Sequence, residues 1–383
     1  MNIFNVRQEK TGRHIELAAD ISFDRENTVR KLWFRVPNEM ENLSLTADPF
    51  LAASLIDCMW KDEDIYVEGE VSEKLFNSLE TIMDCHILGN SELHKIKIHA
   101  TKRKNSAGSN QFIGSFFSGG VDSFYTLLKN KEKISHLILV RGFDIALGHE
   151  DDKIWDKILH NAKAVAQKYN KQLIPVITNI KYGYNDTATL KFWLESAFGS
   201  GCASVGLVFQ DFFSEIFIPS SMAYNELIPH GSHPVLDPLW STEKLEFIHS
   251  GCEATRFHKI ERQVAKSEMA LNTLRVCWEN RDKMYNCCNC EKCLRNMTCL
   301  EILGKIKDAK SFPEKLDVKK ISGLRISDAN FMVFLFWKEL AEKAKENNKD
   351  KLAAAIRRML RASKRKNLIS RYLGFLNKLR NAK

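Results

Sequence analysis

"FFSGGVDS", residues 116 to 123, decides how this chain is read. Two apolar residues close a strand signal, a glycine pair follows, and a helical pattern begins near Val121, so the glycines occupy a strand-to-helix turn. In an open α/β sheet that turn stands at the carboxyl edge, where ligands bind. Gly119 and Gly120 let backbone approach a phosphate closely, the helix start offers free N–H groups, and Ser118 and Ser123 add hydroxyls. Asp122 would repel a bound phosphate unless a cation lay between, which points to Mg2+ held mostly through substrate phosphates. The chain contains no G-x-x-x-x-G-K-[ST], so a Walker-type site is excluded.

The flanking rhythm agrees with that turn. "FIGSFF", "HLILVRGF" and "QLIPVIT" are apolar runs without alternation, and an amphipathic stretch from Asp151 to Tyr169 separates the last two. Buried strands each followed by a helix predict a doubly wound α/β fold with a mostly parallel sheet. A helical stretch from about Thr187 to Phe213 and the strand "IFIPSS" extend it. "GSGCAS", 199 to 204, imitates a dinucleotide fingerprint but lies within that helical stretch, so close helix packing explains its small residues better.

Residues 1 to 110 read as a small α+β unit: "TVRKLWFRV", "IYVEG" and "KIKIHA" as strands, with two helices between them. The first of these helices is expected to be capped by Asp48 with Pro49 at its first position, and the second carries Leu75, Phe76, Leu79 and Met83 as its stripe. The polar, basic "TKRKNSAGSNQ", 101 to 111, marks a boundary. The central domain then spans 111 to 304 and a helical, basic region 305 to 383.

The chain has 383 residues and a net charge of +9, located mainly in its tail: residues 351 to 383 hold eleven Lys or Arg and no Asp or Glu. Leu352, Ile356, Met359 and Leu360, then Leu368, Ile369, Tyr372, Phe375, Leu376 and Leu379, recur at helical spacing. Such a basic amphipathic helix either packs on its own domain or meets nucleic acid, anionic lipid or an acidic protein. No apolar run is long enough for a membrane span, and the start lacks a secretory pattern. A soluble, cytoplasmic protein is expected; its oligomeric state is not indicated.

Half of the ten cysteines fall between Cys277 and Cys293. Cys277, Cys287, Cys290 and Cys293 give C-x9-C-x2-C-x2-C, a set able to converge tetrahedrally on Zn2+. Cys288 could stand in for Cys287, and a redox pair or an iron–sulfur cluster are alternatives.

S-G-G-x-D-S at the end of a first parallel strand resembles the PP-loop of the N-type ATP pyrophosphatases. Late cysteines followed by Leu and Arg, "EKCLRNM", together with Phe143–Asp144 and "PLWSTEKLEF", narrow the resemblance to the 7-cyano-7-deazaguanine synthase family over about 112 to 300. The resemblance implies an adenine nucleotide alpha hydrolase-like sheet, ATP bound at Ser118, Gly119, Gly120, Val121, Asp122 and Ser123, and Asp122 and Lys244 as catalytic residues. A substrate oxygen would be adenylated and AMP then displaced by ammonia or an amine. "IALGHEDD" replaces the family's Y-G-Q after Asp144, and "NELIPHGSHPVLDP" replaces the stretch that shapes its deazaguanine pocket, so the acceptor is open: a small molecule or a modified base. His230 and His233 are candidates to line that pocket. A tRNA-thiolating enzyme, with Cys288 or Cys202 carrying sulfur, and a non-catalytic nucleotide-binding module joined to a nucleic acid or protein are the alternatives.

Overall fold

The computed structural model describes residues 1–24, 28–40, 43–104, 110–181, 187–327 and 331–381, with side chains beyond 366 outside the description. Its contacts divide the chain into two compact units: Met1–Ser118 with Asp122–Glu253, and Gly119–Val121 with Ala254–Lys383.

The first unit is built on one ten-stranded, mostly parallel sheet with helices. β1 (Asn2–Thr11) and β2 (His14–Ser22) form an antiparallel hairpin, and β3 (Val29–Pro37) pairs antiparallel with β2. Helix α1 (Asp48–Lys61) follows, then β4 (Ile65–Ser72), α2 (Glu73–Gly89) and β5 (Ile98–Arg103). Asp48 does not cap α1; Ala47 holds the cap position without a side-chain bond. The carboxylate instead accepts from the Ser72 N–H at 2.7 Å, Arg103 at 2.8 Å and Gln210 at 2.9 Å, and these tertiary donors outweigh a local cap.

β6 (Phe112–Phe116) leads through the glycine turn to α3 (Val121–Lys129), and β7 (His136–Arg141), α4 (Asp152–Lys168) and β8 (Gln172–Thr178) continue the expected alternation. One helical run then joins α5 (Thr187–Phe192) to α6 (Phe198–Leu207) through a π-helical turn at Trp193–Ala197. β9 (Phe213–Pro219) and β10 (Glu246–Ser250) complete the sheet, in the order β10-β9-β6-β7-β8-β3-β2-β1-β4-β5. β3 meets β8 antiparallel through Phe34↔Thr178 and Arg35↔Ile177. Strands on either side of the 101–111 stretch therefore lie in one sheet, and the N-terminal residues extend it. Residues 105–109 of that stretch lie outside the described residues.

The glycines of "GSGCAS" pack as close contacts: a Cβ on Gly199 would stand 1.9 Å from the Gly231 carbonyl oxygen, and one on Gly201 would stand 2.6 Å from the Trp193 ring. No dinucleotide turn is formed there.

The second unit is helical: α7 (Arg256–Arg262), α8 (Glu268–Thr273), α9 (Glu291–Ile302), α10 (Val318–Gly323), α11 (Phe331–Glu346) and α12 (Asp350–Asn381). The point after residue 304 is no break in it, since the Trp337 indole on α11 donates to Glu291 on α9 at 2.7 Å. α12 buries Leu352, Ile356, Met359 and Leu360. The side chains expected to continue its stripe, Leu368 to Leu379, lie outside the described residues. Among the described residues no helix is long and apolar enough to cross a membrane.

Candidate functional site

The sheet order fixes where a ligand would sit. From β6 the chain steps one way to β7 and β8, then returns to place β9 and β10 on β6's other side, all parallel. The strand order thus reverses between β6 and β9, and the 118–123 turn stands at the carboxyl end of β6 at that switch point.

Within the turn, Gly119 has φ +75°. A side chain there costs roughly 1–2 kcal/mol, which accounts for this glycine. The Gly119 carbonyl accepts from the Arg275 N–H at 2.8 Å, and the Arg275 Cβ and Tyr285 hydroxyl stand 3.7 and 3.8 Å from where a Cβ of Gly119 would be. Val121 and Ser123 are buried, Gly120 and Asp122 half-buried, and Ser118 exposed. The far end of α3 is tied down by Glu253, which accepts from the Tyr125 hydroxyl at 2.7 Å and from Lys129.

Arg275 was not singled out by sequence. Its side chain is 6 % exposed, one of its terminal nitrogens donates to Asn280 Oδ1 at 2.7 Å, and its Nε has no hydrogen-bond partner among the described residues. A buried guanidinium N–H without an acceptor, next to a glycine turn, suits an anionic oxygen. The only sequence hint is its place two residues before Cys277.

Lys244 does not reach this edge. It precedes β10, at the amino edge of the parallel strands, and its Nζ bonds Asp211 at 2.6 Å, just ahead of β9. β10 runs five residues, so roughly 17 Å of strand separates Lys244 from the carboxyl edge. A lysine that follows the carboxyl end of a strand neighbouring β7 is Lys181, after β8. Its Nζ donates to the Phe143 carbonyl at 3.2 Å, and burial pulls its pKa down while nearby Asp144 raises it. Gly142 opens the loop that carries Asp144; its φ is +110°, and a Cβ there would stand 2.0 Å from the Thr178 carbonyl oxygen. Arg141 braces the "IALGHEDD" loop through Ala146, Gly148 and Asp152.

The "PHGSHPVLDP" segment is organised by Asp237, which is fully buried. It accepts from His249 Nδ1 at 2.6 Å and from the Ser232 hydroxyl at 2.9 Å. Burial opposes a charge on His249, but the bonds to Asp237 and Cys252 prevail and raise its pKa to about 9. Burial lowers both His230 and His233.

In the second unit, Cys277, Cys287, Cys290 and Cys293 are buried with their sulfurs all within 4.8 Å of one another, a group able to hold a metal ion such as zinc. The Cys277–Cys290 and Cys287–Cys293 sulfur separations are both 3.9 Å. A tetrahedral ion with bonds of about 2.3 Å requires edges of roughly 3.8 Å, so the spacing fits one ion. Backbone N–H groups of Cys290 and Cys293 donate to the sulfurs of Cys287 and Cys290 at 3.3 and 3.4 Å. Hydrogen bonds from Cys290 and Cys293 pull the Cys277 thiol well below its ordinary range, and the bond to Cys277 pushes Cys290 up. Cys288 is outside the group, at φ +53° with its thiol toward the Asn286 carbonyl at 3.7 Å.

Asn286 locks this module together. Its Oδ1 accepts from the Val276 and Cys277 N–H groups at 2.9 and 3.2 Å, and its Nδ2 donates to the Leu274 and Ser311 carbonyls at 2.8 and 3.0 Å. The stretch Leu274–Cys277 thus carries the Asn286 clamp, the bond to Gly119 and a metal ligand within four residues.

Comparison of the chain with protein-family models, with curated proteins and with solved structures gives no match in any of the three.

Proposed function

We propose that the chain is an ATP-dependent adenylating enzyme on an adenine nucleotide alpha hydrolase-like sheet, cleaving ATP between the α and β phosphates. The observation that carries this reading is the Ser118–Ser123 turn at the switch point between β6 and β9, with Gly119 left-handed and the buried Arg275 beside it. Backbone N–H groups of the turn would cradle phosphate, and Ser118 and Ser123 would donate to it. Arg275, beside Gly119, would balance charge developing on the departing pyrophosphate. Asp122, half-buried in the first turn of α3, would hold Mg2+, which supplies charge neutralisation between phosphates. The acceptor oxygen would become the AMP ester, and ammonia or an amine would displace AMP. The four thiolates form a closed set, so we assign them Zn2+ in a structural role.

Tandem chromatography of nucleotides tests this. ATP, Mg2+, an ammonia source and a panel of carboxylates including 7-carboxy-7-deazaguanine should yield AMP and pyrophosphate, abolished in Asp122→Asn. ADP as the sole substrate-stimulated product rejects the reading; nucleotide binding without turnover on any acceptor favours a binding module. Sulfur transfer is disfavoured because Cys202 and Cys288 are buried, and burial raises both thiols.

A further inference from the structure

We infer that α12 and the segment preceding residue 327 form a binding groove for a single nucleic-acid strand, gripped through its phosphates. The groove, about 830 Å3, is lined by Arg325, Arg357, Arg358, Arg361, Arg365 and Lys366, with Ala354 and Ala362 between them. Among the described residues no carboxylate lines it. The Ile326 N–H donates to the Ser363 hydroxyl at 3.1 Å, which fixes the neighbouring Arg325 against the helix. Arg325 also donates to the Leu324 and Ser322 carbonyls at 2.7 and 3.2 Å, so its guanidinium is held in place before any ligand arrives.

Spacing makes the arrangement unfavourable for the protein alone. Arg357, Arg361 and Arg365 follow one another at i, i+4 and i+8, with β-carbons about 5–6 Å apart, and like charges at that spacing weaken a helix. A row of phosphates reverses the sign of that term. Guanidinium groups suit it, because each presents a planar fork to phosphate oxygens.

Other partners fit less well. A membrane needs an apolar face to insert, and the large apolar side chains of α12 among the described residues, Leu352, Ile356, Met359 and Leu360, are already buried. A protein partner would find no exposed aromatic or aliphatic anchor among the groove's lining residues. A concave groove takes one strand along its length, whereas a duplex carries its phosphates on a convex surface.

The test is fluorescence anisotropy of the full-length protein with a labelled 20-nucleotide single-stranded RNA at several salt concentrations. Replacing Arg357, Arg358, Arg361 and Arg365 by Gln, which keeps helix propensity, should lower affinity at least about 100-fold at low salt. It should also flatten the slope of log K against log salt by about 3, four charges at roughly 0.7 each. A control variant, Lys163→Gln with Lys168→Gln on exposed positions of α4, should bind as the parent does. Thermal melting of each variant confirms that it is folded. The inference fails if the parent protein does not bind the strand, if the quadruple variant keeps its affinity and slope, or if the control loses as much. Preference for duplex RNA, poly-glutamate or anionic vesicles over the single strand overturns it equally. Adenylation plays no part in this readout.

Discussion

Replacing Asn286 by alanine should cost the second unit about 4 kcal/mol. The side chain is 1 % exposed and makes four bonds, at 2.8 to 3.2 Å, to backbone groups of Leu274, Val276, Cys277 and Ser311. Each bond contributes about 1 kcal/mol net, and truncation leaves two N–H and two C=O groups buried without partners. The loss is a large fraction of the roughly 5–15 kcal/mol that holds a domain together. Asn286→Asp keeps an acceptor for Val276 and Cys277 but loses both donors, so it should cost about half as much before its charge is counted. Because the clamp orients Cys277, metal affinity should also fall roughly 10- to 100-fold, as for groups that orient a ligand from behind. Urea unfolding of the zinc-loaded protein and chelator competition read the two effects. An alanine variant within about 1 kcal/mol of the parent, with unchanged metal release, would refute the reasoning.

Other outcomes follow from the geometry. Lys244→Ala should leave nucleotide turnover within about twofold and cost under about 1 kcal/mol, since its partner Asp211 is part-exposed; Arg275→Gln should lower AMP formation about 100-fold or more. His249 has a folded pKa of about 9, above its ordinary 6.5, so its stabilisation is complete below pH 6.5 and disappears as pH rises through 9. Unfolding free energy should therefore drop by about 3 kcal/mol across that window, a slope that Asp237→Asn should remove in a pH series of denaturation curves. Gly142→Ala should destabilise by about 3 kcal/mol or more, because its Cβ would meet the Thr178 carbonyl oxygen; a thermal melt unchanged by the substitution contradicts that contact.

What sequence made legible was local. The strand-to-helix glycine turn, the β6 to β8 alternation and the four-cysteine set all declare themselves within short windows, through periodicity or spacing. β1 does not: Asn5 at φ +54° and a register shift between Phe4 and Arg7 break the two-residue alternation on which a strand is recognised. The joining of β3 to β8 spans more than 140 residues and leaves no trace in composition. Lys244 shows the same limit, since a family position says nothing about which edge of a sheet a lysine occupies. Arg275 had no periodic signal and, in sequence, only its place two residues before Cys277; its burial beside Gly119 reveals it.

The four residues Leu274 to Cys277 make the glycine turn a dependant of the metal module. Gly119 is held by the backbone of Arg275, and the flanking backbone is held by Asn286 and by a cysteine of the metal set. A change in metal occupancy would therefore be felt at the glycine turn as a loss of preorganisation, without any residue there being altered. Under the function proposed above, loading would follow an order, metal before nucleotide, and a chelator would inhibit ATP use well before it acted as a denaturant.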